Sequence, residues 1–250
     1  MKPIILANWK MNLGVNESAD LALLLKNELE GVEEKDLVLC PSFSSLAKVG
    51  EIIQGSNMLL GSQDVFWEEK GSYTGEESPK FLAELGCRYA IVGHSERREK
   101  IGEDNEMIHR KIKACIAGEL IPVVCVGETF EERQEGLTNQ VVLNEIFKAL
   151  AGVDLIPSEQ LVIAYEPVWV IGSGQAVKPE EAGEVFRLIR QAVLDLWPLT
   201  IVENSVRIIY GGSVDGENAK EFSKLEYFNG FLVGGNSLKA EEFKRIINSI

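Results

Sequence analysis

The sequence predicts a single-domain α/β protein, a closed (β/α)8 barrel spanning residues 1–250. Eight short apolar runs recur along the chain, near-continuous where a half-exposed strand would alternate, as parallel strands buried on both faces require. Stretches of helical spacing lie between them, so strand and helix alternate throughout. The 250 residues divide into about 31 per unit, in keeping with the roughly 250 residues of such a barrel. No Pro/Ser-rich linker, low-complexity tract or compositional break divides the chain.

The runs, in order, are PIILA (3–7), DLVLC (36–40), NMLLG (57–61), YAIVG (89–93), IPVVCVG (121–127), LVIAY (161–165), VRIIYG (206–211) and GFLVGG (230–235). Between them, Leu21, Leu24, Leu25 and Leu29 share one helical face, and so do Val142, Ile146, Ala149 and Leu150. Phe243, Ile246, Ile247 and Ile250 repeat the pattern at the end of the chain. A doubly wound open sheet is the competing architecture. The distinction matters because a barrel places its chemistry where strands end and the following loops begin.

Composition narrows the partners. The formal charge is −14, from 25 basic and 39 acidic residues, which argues against nucleic acid or an anionic membrane surface as a main partner. An anionic substrate must therefore be held by local dipoles and a few cations. Cys40, Cys87, Cys115 and Cys125 are far apart without a C-x-x-C pair, and only His94 and His109 accompany them, so zinc-ligand spacing is absent. Free buried thiols in a reducing compartment are the expectation. The opening MKPIILANWK has too short an apolar run for a signal peptide, and no stretch approaches the roughly 18 apolar residues of a spanning helix. The expected location is the cytoplasm.

Polar residues collect at the strand ends. Asn8-Trp9-Lys10 follows the first run, and Gly93-His94-Ser95-Glu96-Arg97-Arg98 the fourth. Glu166 closes the sixth, Gly211-Gly212-Ser213 the seventh, and Gly234-Gly235-Asn236 the eighth. Lys10 reads either as a solvated loop lysine or as a fixed cation for a phosphate or oxyanion; desolvated, it could form a Schiff base. His94 reads as a hydrogen-bonded core histidine or, with Ser95 and Glu96 opening a helix, as an imidazole kept neutral by positive potential. Neutral imidazole donates a hydrogen bond to a carbonyl. Glu96 and Arg97 read first as an ion-pairing scaffold. Glu166, fixed before Pro167 at the end of a buried run, is half of a salt bridge or a general base.

The paired glycines are turn residues on the plainest reading. Two consecutive strands ending GGS and GGN, each feeding a helix, also make an anion site from backbone N–H groups. Competing motifs fail: Gly211 and Gly216 match G-x-x-x-x-G, but Glu217 and Asn218 replace the Lys-Ser/Thr of a P-loop. GSGQAV lacks the third glycine of a dinucleotide fingerprint. A small phosphate monoester fits better than ATP or NAD. Base, hydrogen-bond donor, cation and phosphate cradle together suit proton transfer at a carbon beside a carbonyl, without metal or cofactor. The alternatives are a Schiff-base aldolase using Lys10 and a barrel that binds without catalysing.

ANWKMN (7–12), IVGHSERR (91–98), AYEPVW with IGSG (164–174), YGGSV (210–214) and LVGG with SLK (232–239) resemble the triosephosphate isomerase family, in its order and over essentially the whole chain. The resemblance implies the TIM barrel and a cytoplasmic enzyme of glycolysis and gluconeogenesis that interconverts dihydroxyacetone phosphate and D-glyceraldehyde 3-phosphate. It implies Glu166 as the base, His94 as the carbonyl-polarising group, Lys10 and Asn8 as electrostatic support, and Glu96 beside them. Gly172, Ser213, Gly234 and Gly235 would bind phosphate through backbone N–H groups, Gly172 from a closing lid. It implies no cofactor and no metal, and a homodimer through the loop Gly71-Ser72-Tyr73-Thr74-Gly75-Glu76. Departures from the family pattern flank the chemistry: Val170 for the usual alanine, Ser173 for threonine, Gln175-Ala176-Val177 without lysine-threonine, and Asn236 for alanine.

Overall fold

Each apolar run becomes a strand in the computed structural model, which describes residues 1–171 and 176–250. The strands are β1 (Ile4–Asn8), β2 (Asp36–Cys40), β3 (Met58–Ser62), β4 (Cys87–Val92), β5 (Ile121–Val126), β6 (Leu161–Tyr165), β7 (Val206–Tyr210) and β8 (Phe228–Val233). They pair in parallel and in sequence order, and β8 closes on β1, so the barrel is shut and the open sheet is excluded. The near-continuous apolar runs follow from this closure. Alternate residues such as Ile4, Leu6, Val38, Ile91 and Val123 fill the barrel's interior. Their neighbours Ile5, Ala7, Leu37, Leu39 and Val124 pack outward against helix residues. Both faces are dry, so both demand apolar side chains.

The helical layer is more divided than one helix per unit. It comprises α1 (Val15–Glu28), α2 (Leu46–Ile53), α3 (Pro79–Glu84), α4 (Ser95–Ile101), α5 (Asn105–Ala117), α6 (Phe130–Gln134), α7 (Thr138–Leu150), α8 (Pro179–Leu196), α9 (Leu199–Ser205), α10 (Ala219–Phe222) and α11 (Ala240–Asn248). The three extra breaks have local causes. Gly102 (φ 81°) ends α4 and Gly136 (φ 72°) follows α6, both left-handed, and Pro198 separates α8 from α9 because it cannot donate to the turn before it.

The apolar faces of α7 and α11 are buried as their spacing predicts, with Ile250 partly buried just past α11. In α1 one assignment is corrected: Leu24 is 46% exposed. The buried stripe is Ser18, Leu21, Ala22, Leu25 and Leu29, and Leu24 lies well round the helix from its centre.

Candidate active site

The strand ends meet at one mouth of the barrel, around a cavity of about 250 Å³ lined by Asn8, Lys10, His94, Glu166, Ser213, Gly234 and Gly235 among others. These seven predicted residues, from the ends of β1, β4, β6, β7 and β8, thus converge on one space, while Glu96 stands behind it on Lys10. Gly172 lies outside the described residues, as do Ser173 and Gln175.

At the end of β1, Asn8 is buried and its Oδ1 accepts the Lys10 N–H at 3.1 Å. This bond holds Lys10 in the left-handed region (φ 51°), where a non-glycine residue is uncommon and strained. The turn aims the ammonium group back over the mouth. Lys10 Nζ donates to Glu96 Oε1 at 2.8 Å, and a Cβ built on Gly234 would lie 3.9 Å from the same nitrogen. The cation therefore stands beside the strand-8 glycines. Gln63, which the sequence reading missed, donates to the carbonyls of Lys10 and Cys40 at 2.8 and 2.9 Å and fixes the turn from below. Partial burial raises the Glu96 pKa, but the bond and charge of Lys10, with His94 and Lys100, outweigh it and hold the carboxyl below its usual range. Arg97 pairs away from the cavity, with Asp64 and Glu103, and is scaffold.

His94 is the N-cap of α4, and its Nδ1 accepts the Glu96 N–H at 3.2 Å. A ring nitrogen that accepts a backbone N–H carries no proton, so the proton of the neutral ring sits on Nε2. That nitrogen faces the cavity, 3.2 Å from Glu166 Oε1. Glu166 is 1% exposed. Its own N–H donates to Val126 O, and its Oε2 accepts the Ser95 N–H at 3.1 Å. Oε1 makes no hydrogen bond of good geometry among the described residues. A buried carboxylate oxygen left unsatisfied is costly unless it is used.

Two glycines make room for this residue, one for its side chain and one for its backbone. A Cβ on Gly211 would lie 2.8 Å from Glu166 Cγ, and one on Gly127 would lie 1.8 Å from the Glu166 carbonyl oxygen. Neither role is visible in a sequence, because each depends on a neighbouring strand. The segment after Glu166 is pinned too. Val168–Val170 forms a 3-10 turn whose Val168 N–H reaches Glu128 O. Glu128, fully buried, accepts Trp169 Nε1 at 3.1 Å and Tyr165 Oη at 3.2 Å. The Arg133 guanidinium stacks 4.6 Å from the Trp169 ring. Val170 is completely buried. The sequence reading did not single out Glu128; a glutamate just past a strand end was its only signal.

Opposite the base, none of the backbone N–H groups of Ser213, Gly234 and Gly235 is used in a backbone hydrogen bond of the described residues. Gly234 precedes the 3-10 turn Gly235–Leu238, so its N–H and that of Gly235 sit at a helical N-terminus lining the cavity. Leu232 and Ile171 supply the apolar part of the wall. Among the described residues no cluster of three or more His, Cys, Asp or Glu is placed to hold a metal ion.

Residues 3–250 match the family model described as triosephosphate isomerase. Proteins named triosephosphate isomerase from Aquifex aeolicus and Dictyoglomus turgidum are 45% identical over 249 residues and 44% identical over 248, covering 100% and 99% of both chains. The one from Carboxydothermus hydrogenoformans is 46% identical over 246 residues, 98% of each. With the closed barrel and the family's motifs gathered at a single mouth, the chain belongs to the triosephosphate isomerase family.

Proposed function

We propose that this chain interconverts dihydroxyacetone phosphate and D-glyceraldehyde 3-phosphate, with Glu166 moving the carbon-bound proton. The observation that carries this reading is the pair Glu166 Oε1 and His94 Nε2, 3.2 Å apart in the cavity shared with N–H groups of two glycine loops that no backbone hydrogen bond among the described residues uses. A triose phosphate anchored on Ser213, Gly234 and Gly235 places its carbonyl and hydroxyl carbons at the base. Oε1, which makes no hydrogen bond of good geometry among the described residues, takes the proton from one carbon and returns it to the next. His94 Nε2–H donates to the carbonyl oxygen as charge builds there, and Lys10 adds fixed positive potential held in place by Asn8 and Glu96. Gly172 is assigned to the phosphate from the lid side, where closure excludes water from the enediolate. A coupled assay on both triose phosphates tests the reading; folded protein without turnover in either direction sinks it.

Lys10 Nζ is engaged by Glu96 Oε1 at 2.8 Å, whereas a Schiff-base aldolase needs its lysine nitrogen free to attack a carbonyl. Borohydride trapping of a lysine adduct with substrate would reinstate that mechanism. The reaction belongs to glycolysis and, reversed, to gluconeogenesis. The cytoplasm suits four buried free thiols, with burial pushing Cys87 up to about 12. A homodimer through residues 71–76 is supported by the exposure of that loop, with Tyr73 at 44%.

A further inference from the structure

The phosphate donors sit on two loops that leave neighbouring strands, residues 211–218 after β7 and 234–239 after β8. Each loop is braced on its own side. In the first, Asp215 Oδ1 accepts the N–H groups of Glu217 and Asn218 at 2.9 and 2.8 Å. Asn218 Nδ2 donates to Ser213 O at 3.3 Å, and Gly216 N–H reaches Glu242 of α11 at 2.7 Å. In the second, Ser237 donates to Gly234 O through N–H at 2.8 Å and through Oγ at 2.6 Å. None of these bonds fixes one loop against the other.

Among the described residues one hydrogen bond does: Asn236 Nδ2 donates to Val214 O at 2.6 Å. Val214 is buried, so its carbonyl finds its partner inside the protein, and Asn236 is half-buried and lines the cavity. We infer that Asn236 is a positioning residue for the phosphate end of the substrate, its amide bridging the loops after β7 and β8 so that the N–H of Ser213 and those of Gly234 and Gly235 face one anion together. A methyl group at this position has no donor, and the loops would then have to be brought into register at each binding event. Prior ordering of both loops removes that entropic cost from binding. Because the bridge lies at the phosphate and away from Glu166 and His94, its effect falls on affinity and spares the proton transfer.

The inference rests on the proposed triose phosphate reading, and direct binding separates the two. Calorimetric titration with inorganic phosphate should give a Kd about 3- to 10-fold weaker for Asn236→Ala than for the natural chain, the range of one neutral hydrogen bond. This measurement needs no turnover, so a chain without isomerase activity defeats the proposed function and still tests the bridge. In the assay, KM for both triose phosphates should rise by the same factor with kcat changed less than about twofold. The ratio of kcat/KM on D-glyceraldehyde 3-phosphate to that on phosphate-free D-glyceraldehyde should fall. Asn236→Ser, also unable to reach Val214 O, is the second variant should the alanine form not fold, and the same split is expected of it. Unchanged phosphate affinity overturns the inference. So does an equal loss on phosphorylated and phosphate-free substrates, which would mark a general disturbance of the barrel mouth.

Discussion

At the residue scale, the buried Glu166 and the half-buried Glu145 are two carboxylates with different work. Glu166 keeps one oxygen on the Ser95 N–H and leaves the other facing His94. Glu166→Asp withdraws the carboxylate by one methylene, and kcat should fall by at least about 10²-fold with little change in KM. Near-normal turnover would remove Glu166 as the base. Glu145, on α7, accepts the Gly127 N–H at 2.9 Å and pairs with Arg98 at 3.3 Å. Burial pushes its carboxyl from 4.5 up to about 7, outweighing the Arg98 charge and the Gly127 bond that pull it down. The folded chain therefore holds a proton on Glu145 where the unfolded chain has released it. The resulting stabilisation is full below the unfolded value and is lost as pH rises through about 7. Glu145→Gln cannot ionise and keeps an acceptor for Gly127, so its melting temperature should gain on that of the natural chain as pH rises from about 4.5 to about 7. A difference that stays constant with pH would show that Glu145 does not titrate there.

Elements place these residues by strand adjacency. Tyr165 and Tyr210 are register partners on β6 and β7, so the residues that follow them, Glu166 and Gly211, are also side by side. Gly211 has no left-handed φ, and a methyl group there meets no conformational objection, only the Glu166 Cγ at 2.8 Å. Gly211→Ala should displace the base sideways and lower kcat by roughly 10- to 100-fold. Its cost in stability should be of similar size, about 1–3 kcal/mol as for other overpacked sites. A melting scan beside the kinetic assay checks the split, and an unchanged kcat would mean the glycine serves only the turn. The same logic explains Glu128, which holds Tyr165 on β6 and Trp169 in the turn beyond it from one buried carboxylate. The apolar stretch after Glu166 is thus not a solvated loop at its start: Val170 is buried and Trp169 is stacked under Arg133.

For the whole molecule, a charge of −14 sets the average field against an anionic substrate. Lys10 and the N–H groups at the mouth act locally against it, over distances shorter than the roughly 8–10 Å screening length. The loop at residues 71–76 is exposed, as is Met11 at 94%, and the proposed homodimer would cover that loop. Sedimentation equilibrium should return twice the 27.7 kDa of one chain. A 27.7 kDa species at micromolar concentration would defeat the dimer.

The sequence by itself determined the eight strands, the order of strand and helix, and the residues at the strand ends. Burial on both faces writes itself as continuous apolar runs, and a carboxylate or lysine just past such a run is legible because it is costly there. It also located the buried faces of α7 and α11. It misplaced Leu24, since five leucines in nine residues fit more than one helical stripe. Only the tertiary structure decided how the ends combine. Closure of β8 on β1 brings Lys10 to Gly234, and strand adjacency sets Gly211 and Gly127 against Glu166. It also joins Asn236 to Val214 and sets Glu128 beneath Trp169. Periodicity reports a residue's relation to its own strand or helix. These pairs span different elements, and their distances exist only once the barrel has closed.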